Sequence, residues 1–260
     1  MGALAQGSAH SNKLAPTSDF VGEPLNLFFE NGWIVEFKFK AIDKLFWSQN
    51  SPAEKRQWIK ETYSATKVRD GLYFLDFVKH LERATSVSLV LDLNLQIFTA
   101  VIGQLPTREE TRQDLLSRAL KGRELTGVKT TFLSGSINKP FSFATTPRHH
   151  RTDELIGRRV EYTYSPSDLY EHLYLNEDLY TWHCLTGAEK GLADTDRCHY
   201  YKVGDRLYFF VWREKIIPTL GVLVEDLNQM RTSGKLFGYR SNDFGKLSNF
   251  MVGAKARMLE

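Results

Sequence analysis

The side chains best able to move protons and grip a small molecule are concentrated between Tyr170 and Lys215. That stretch holds three of the seven histidines, two of the five tryptophans and both cysteines. His172, His183 and His199 have the chemistry of general acids or bases near neutral pH. The hydroxyls of Tyr201, Tyr174 and Tyr180 can donate to a developing oxyanion. Arg197 and Arg213 can fork onto a carboxylate or enolate, and Glu214 adds a proton carrier if it faces inward. Trp182, Tyr208 and Trp212 offer flat walls. The expected catalytic set is therefore His172, His183, His199, Tyr201, Arg197 and Glu214. Expected substrate contacts are Tyr174, Tyr180, Trp182, Tyr208, Trp212 and Arg213.

No cofactor motif accompanies these residues, so the expected chemistry uses none: decarboxylation, isomerisation or ring closure of a bound molecule. The loop from Gly187 to Asp194 has neither the glycine spacing nor the strand-to-helix setting of a P-loop or dinucleotide fingerprint. It fits a hairpin loop or a lid over a cavity mouth. Three histidines could also surround zinc, but no H-x-H or H-x-x-x-H pair supports that, and no metal site is expected.

These residues need strands to position them. Side chains alternate along a strand with period two. Arg197, His199 and Tyr201 then share one face, His172 lies with Tyr170 and Tyr174, and His183 lies with Thr181. Trp212 and Glu214 face one way, Arg213 and Lys215 the other. Earlier in the chain, residues 32–39, 58–68, 72–79, 87–93 and 96–102 also read as strands, with a hairpin turn at Asp70-Gly71. One helix is predicted, capped at Thr107, with Leu115, Leu116, Ala119 and Leu120 at helical spacing and Gly122 at its end. Pro140, Pro147 and the run Arg148-His149-His150-Arg151 mark a linker, or an anion contact at a rim.

The second half of the chain repeats the first. Gly32-x-x-Val35-Glu36-Phe37 returns as Gly157-x-x-Val160-Glu161-Tyr162, and Leu45-x-Trp47 as Tyr180-x-Trp182. Val68-x-Asp70-x-Leu72-Tyr73-Phe74 returns as Val203-x-Asp205-x-Leu207-Tyr208-Phe209. Val90-x-Asp92-Leu93-Asn94 returns as Val224-x-Asp226-Leu227-Asn228. The spacing between partners drifts from 125 to 135 residues. Hairpin-linked strands in two copies predict an all-β chain of two tandem lipocalin-like (calycin) antiparallel barrels, with one helix after the first. The expected boundaries are a flexible arm over 1–21, a first barrel plus helix over 22–145, a linker over 146–156 and a second barrel over 157–260. Arg197, His199, Tyr201, Arg213 and Glu214 have no like residue in the first copy, which places the expected site in the second.

The long stretches Y-E-H-L-Y-L-N, Y-T-W-H-C-L-T-G-A-E-K-G-L-A-D-T-D-R-C-H-Y-Y and F-V-W-R-E-K-I-I-P-T-L-G resemble the C-terminal region of the MoaF family. D-G-L-Y-F-L-D-F and V-L-D-L-N are similar to its N-terminal domain. The resemblance implies paired calycin-like barrels and a link to molybdenum cofactor biosynthesis. It supplies no catalytic residues to carry over. A net charge of +3 with mixed signs argues against nucleic acid. No apolar run is long enough for a membrane helix, and the opening residues are not a signal peptide. Two cysteines without C-x-x-C spacing fit reduced thiols in a cytoplasmic protein. The expected partner is a small-molecule substrate, with an apolar aromatic or terpenoid-like body and an oxygenated head. A homodimer stays open as the assembly. The alternative function is a non-catalytic, pterin-binding accessory role.

Overall fold

The computed structural model describes residues 11–50 and 57–259. The chain is all-β, with two closed eight-stranded antiparallel barrels. The first uses β1 (Pro24–Phe29), β2 (Ile34–Ala41), β3 (Lys44–Gln49), β4 (Ile59–Arg69), β5 (Leu72–Lys79), β6 (Thr85–Asp92), β7 (Ile97–Gln104) and β8 (Lys129–Ile137). Its strands alternate as the sequence demands: Val35, Phe37 and Phe39 of β2 are buried while the residues between them are less so. The turn between β4 and β5 needs Gly71, whose φ of +71° is costly for any residue with a Cβ. The lumen is filled by apolar side chains, among them Leu27, Phe37, Phe39, Phe77, Leu89 and Leu91.

Phe20 completes that core from outside the strands, with its ring 5.1 Å from Phe39 and 4.8 Å from Tyr73. Within the segment expected as an arm, the residues from 11 onward thus carry contacts of their own. Thr17 N–H donates to the Ala65 carbonyl, and Asn12 N–H to that of Tyr164.

Where one helix is predicted, two short ones form, α1 (Arg108–Thr111) and α2 (Leu115–Leu120), between β7 and β8. Asp114 is the reason for the break, since its carboxylate accepts from the Ser117 N–H and starts a second helix. The chain forms two compact units; one comprises Leu14–Ile102 and Thr130–His149, while the other takes Gly103–Lys129 together with His150 onward. The helical segment therefore belongs to the unit of the second barrel. Thr126 Oγ1 donates to the Glu214 carbonyl and Tyr239 OH to the Pro106 carbonyl, which ties it there.

The second barrel is built from β10 (Arg159–Thr163), β11 (Leu169–Asn176), β12 (Leu179–Thr186), β13 (Ala193–Gly204), β14 (Leu207–Arg213), β15 (Thr219–Asp226), β16 (Arg231–Tyr239) and β17 (Leu247–Leu259). It closes where β17 pairs with β10 and where β12 pairs with the first half of β13. In the stretch expected as a linker, β9 (His150–Arg151) adds to β13, and Leu155 is fully buried in the second core.

The pairing registers of the two barrels match strand for strand. Phe37 stands across from Trp47 as His172 stands across from Trp182, a constant separation of 135 residues. Leu25 faces Phe37 as Val160 faces His172, and Tyr63 faces Phe77 as Cys198 faces Trp212. This corrects the repeat at one point. The Gly32 and Gly157 motifs look alike but lie on β2 and β10, one strand out of step, and the true counterpart of β2 is β11. Strand-forming sequences are chemically similar, so local likeness can mislead where the ladder does not.

Candidate functional site

A cavity of about 240 Å³ opens in the second barrel. Its walls are aromatic: Tyr164, Tyr170, Tyr180, Trp182 and Trp212 all line it. They come from the inward alternate positions of β11, β12 and β14, with Tyr164 just past β10. Trp212 stacks on Phe210 at 5.3 Å and 22°. Its ring fits because β15 supplies a glycine there: a Cβ on Gly221 would lie 2.1 Å from the indole carbons.

The polar part of the lining is acidic. Asp196 is 2% exposed, and its carboxylate accepts from Trp182 Nε1 at 3.0 Å and from the Lys215 N–H at 3.1 Å. Glu214 accepts from Trp212 Nε1 at 3.2 Å. Arg197 pairs with Arg213 across β13 and β14, so Asp196 and Glu214 are the next neighbours along the same two chains, both facing inward. Burial pushes the Glu214 carboxyl up to about 7, and the Asp196 charge adds to the rise. Asp196 is raised too, by burial, against the opposing indole hydrogen bond. Lys215 Nζ is held by Asp194 and the Thr195 carbonyl. Glu189, in the loop between two glycines, accepts from Tyr170 OH at 2.8 Å and also lines the cavity.

His172 lines the cavity, only 3% exposed. Its ring packs 4.7 Å from Tyr162 and 5.2 Å from Tyr180, and its Nδ1 has no hydrogen-bond partner. Burial holds its pKa down to about 3, so the imidazole is neutral at physiological pH. Elsewhere in the lumen Tyr174 OH donates to Glu225 Oε1 at 2.7 Å, and the Tyr162 and Tyr174 hydroxyls are 2.8 Å apart. Glu225 is fully buried, and burial pushes its carboxyl up to about 7.

Against known families, residues 149–260 match the MoaF C-terminal domain and residues 1–107 the MoaF N-terminal domain. The chain belongs to the MoaF family. Protein MoaF of Klebsiella aerogenes is 43% identical over 260 residues, covering 100% of this chain and 94% of that protein. Among solved structures, that of a presumed beta-lactamase from Burkholderia vietnamiensis covers 42% of this chain and 99% of its own, at 14% identity and a TM-score of 0.35. A likeness that low carries no argument.

Every described residue lining the cavity lies within the MoaF C-terminal domain. Of the expected site residues, His172, Tyr180, Trp182, Trp212 and Glu214 come together there. Tyr174 and Tyr208 also face inward but do not line the cavity; Tyr174 meets Glu225, and Tyr208 OH donates to Glu154 at 2.8 Å. The remaining five lie on the outer face: on β13 the inward set is Asp196, Cys198 and Tyr200, on β12 it is Tyr180, Trp182 and Cys184, and on β14 it is Tyr208, Phe210 and Trp212. Arg213 forks onto Glu124 at 2.6 and 2.9 Å, and Arg197 lies 3.8 Å from both Glu124 and Asp178. His199 accepts from Arg151, and burial with the nearby Arg213 and Arg151 charges holds its pKa down to about 4. Tyr201 follows on the same face, across from Arg151. His183 is 3.7 Å from Glu171 with its side chain 43% exposed. The three histidines therefore do not converge, and no group of three His, Cys, Asp or Glu side chains suited to a metal ion occurs among the described residues. No described helix is long and apolar enough to cross a membrane.

Asp196, Glu189 and Glu225 were missed. Glu225 had a visible signal. It is the variable middle residue of Val224-x-Asp226, where the first copy has Leu91 between Val90 and Asp92.

Proposed function

We propose that the second barrel binds a small, flat heteroaromatic molecule of the pterin class, as an accessory protein of molybdenum cofactor biosynthesis. MoaF membership supports the pathway. The observation that carries the ligand class is the cavity lining: five aromatic side chains enclosing about 240 Å³, with fixed carboxylates among them. Flat rings stack on such walls, and buried acceptors orient them. Two of the five tryptophans, Trp182 and Trp212, line the cavity, so binding has an optical readout. Titrating the full chain with pterin and reduced pterins should give saturable tryptophan quenching. Loss of the gene should lower molybdoenzyme activity in the host. Absence of saturable quenching by any pterin overturns this function.

A second reading is supported by the neighbouring Asp196 and Glu214. Two carboxyls with unequal environments suit proton transfer, so the bound molecule could be isomerised, decarboxylated or cyclised without a redox step. Its test is product formation from a bound pterin followed by NMR, with loss of turnover in Glu214→Gln.

A further inference from the structure

We infer that this cavity selects its ligand by the N–H groups it presents, with Asp196 and Glu214 accepting from an amino-substituted pyrimidine edge. The inference rests on the pterin reading and goes further by naming the edge that is recognised and the residues that recognise it. Among the described residues of the lining none is Lys or Arg, and Lys215 Nζ, 3.7 Å from Asp196, is held by Asp194 and the Thr195 carbonyl. A ligand recognised through a carboxylate or phosphate would meet the acidic Asp196 and Glu214 there. A ligand with adjacent N–H groups would find two acceptors, since a carboxylate takes paired N–H donors as it takes the arginine fork.

Three observations make this a built site. Each carboxyl is steadied by the indole N–H of a tryptophan that also walls the cavity, Trp182 for Asp196 and Trp212 for Glu214. A carboxylate has about four acceptor positions, and these bonds leave capacity for a ligand. Next, His172 is 3% exposed, lines the same cavity, and carries an Nδ1 without a hydrogen-bond partner. A buried polar atom left unmatched is costly, so a ligand group that meets it gains by doing so. Finally, the first barrel lacks two members of the set. At the place of Asp196 it keeps a carboxylate, Glu61, held by the His80 N–H and Nδ1, both at 3.0 Å, as Asp196 is held by the Lys215 N–H and Nζ at 3.1 and 3.7 Å. At the places of Glu214 and His172 it has Lys79 and Phe37.

The test compares pterin with lumazine, the same bicycle in which the 2-amino group is an oxo group. Both are titrated against the full chain by tryptophan quenching. The expected result is at least tenfold tighter binding of pterin. In Glu214→Gln and Asp196→Asn the preference should shrink to within about threefold, with thermal unfolding used to confirm that each variant is folded. Equal affinity for the two probes in the natural chain overturns the inference and leaves pterin binding standing. No saturable quenching by either overturns both. The wild-type comparison needs no variant, so misfolding of a variant cannot decide it.

Discussion

Phe37 and His172 occupy the same place in two barrels of the same register, and the substitution is one of a set. Leu27, Phe39 and Leu45 in the first barrel become Tyr162, Tyr174 and Tyr180 in the second, and Leu91 becomes Glu225. Val87 becomes Gly221, across the ladder from Trp212 where the first barrel has Phe77. One lumen is a packed core; the other exchanges apolar fillers for hydroxyls, an imidazole and carboxyls, and keeps a cavity. Both close, so the fold is set by alternation and turns and not by what fills the lumen. Burying those polar groups is costly; the matching Leu27, Phe37, Phe39, Leu45 and Leu91 avoid that cost, although the first barrel also buries Trp47 Nε1 and Ser48 Oγ without a hydrogen-bond partner.

The largest effect expected from this contrast is in the filled barrel. Phe77 is 3% exposed, packed against Phe37 at 5.8 Å and Trp47 at 6.4 Å. Phe77→Ala should cost about 3–5 kcal/mol, the range for a large core aromatic, and leave pterin quenching unchanged in the fraction that stays folded. Denaturant unfolding measures the first and titration the second. A tenfold loss of binding at retained fold would mean that the barrels are not divided in function as argued.

Next comes the buried carboxyl that replaces Leu91. The folded chain holds the Glu225 proton up to about pH 7, whereas the unfolded chain releases it near 4.5. Stability is therefore lost as pH rises between those values, by about 3 kcal/mol when complete. Glu225→Gln keeps an acceptor for Tyr174 and removes this loss. Relative to the natural chain it should gain up to about 3 kcal/mol on going from pH 5 to pH 8. Unfolding at the two pH values checks it. Glu214 is shifted in the same direction, so some slope should remain in the variant. An equal difference at both pH values would show that Glu225 does not titrate as placed.

Gly221→Val restores the first barrel's residue in the second. The new Cβ would lie 2.1 Å from Trp212, so the ring must move. A cost of about 1–3 kcal/mol is expected from overpacking, together with at least tenfold weaker quenching, because Trp212 both walls the cavity and steadies Glu214. Unchanged binding would mean that Trp212 is not part of the site.

Much of this was legible in sequence, and its limits have physical causes. Alternation gives a period of two and groups residues by face, so Arg197, His199 and Tyr201 share a face in the sequence and in the structure alike. It does not give the sign of the face, and a strand shifted by one residue turns every side chain over. The comparison of copies favoured gains in charge. Charged side chains gather on the outer face, where ion pairs and water solvate them, as with Arg213 and Glu124. The gains inside were quieter: Leu91 to Glu225, Val87 to Gly221. The change from Phe37 to His172 was hidden by the one-strand slip at the glycine motif. Cys198 and Tyr200 on the opposite face of β13 were the usable signal, being apolar or aromatic residues that alternate with the charged ones.

The smallest effects sharpen the same contrast within the second barrel, between its inner and outer faces. His183 and Arg197 have side chains 43% and 41% exposed, and their charge partners lie 3.7 and 3.8 Å away. Exposed pairs at such separations contribute little, about 0–1 kcal/mol. His183→Ala and Arg197→Ala should each change stability by no more than about 0.5 kcal/mol and leave pterin affinity within about twofold. The same measurements on Glu214→Gln should show a much larger loss of affinity. If the outer-face variants weaken binding as much as the inner one, the ligand sits against the outside of β13, and the lumen is not the site.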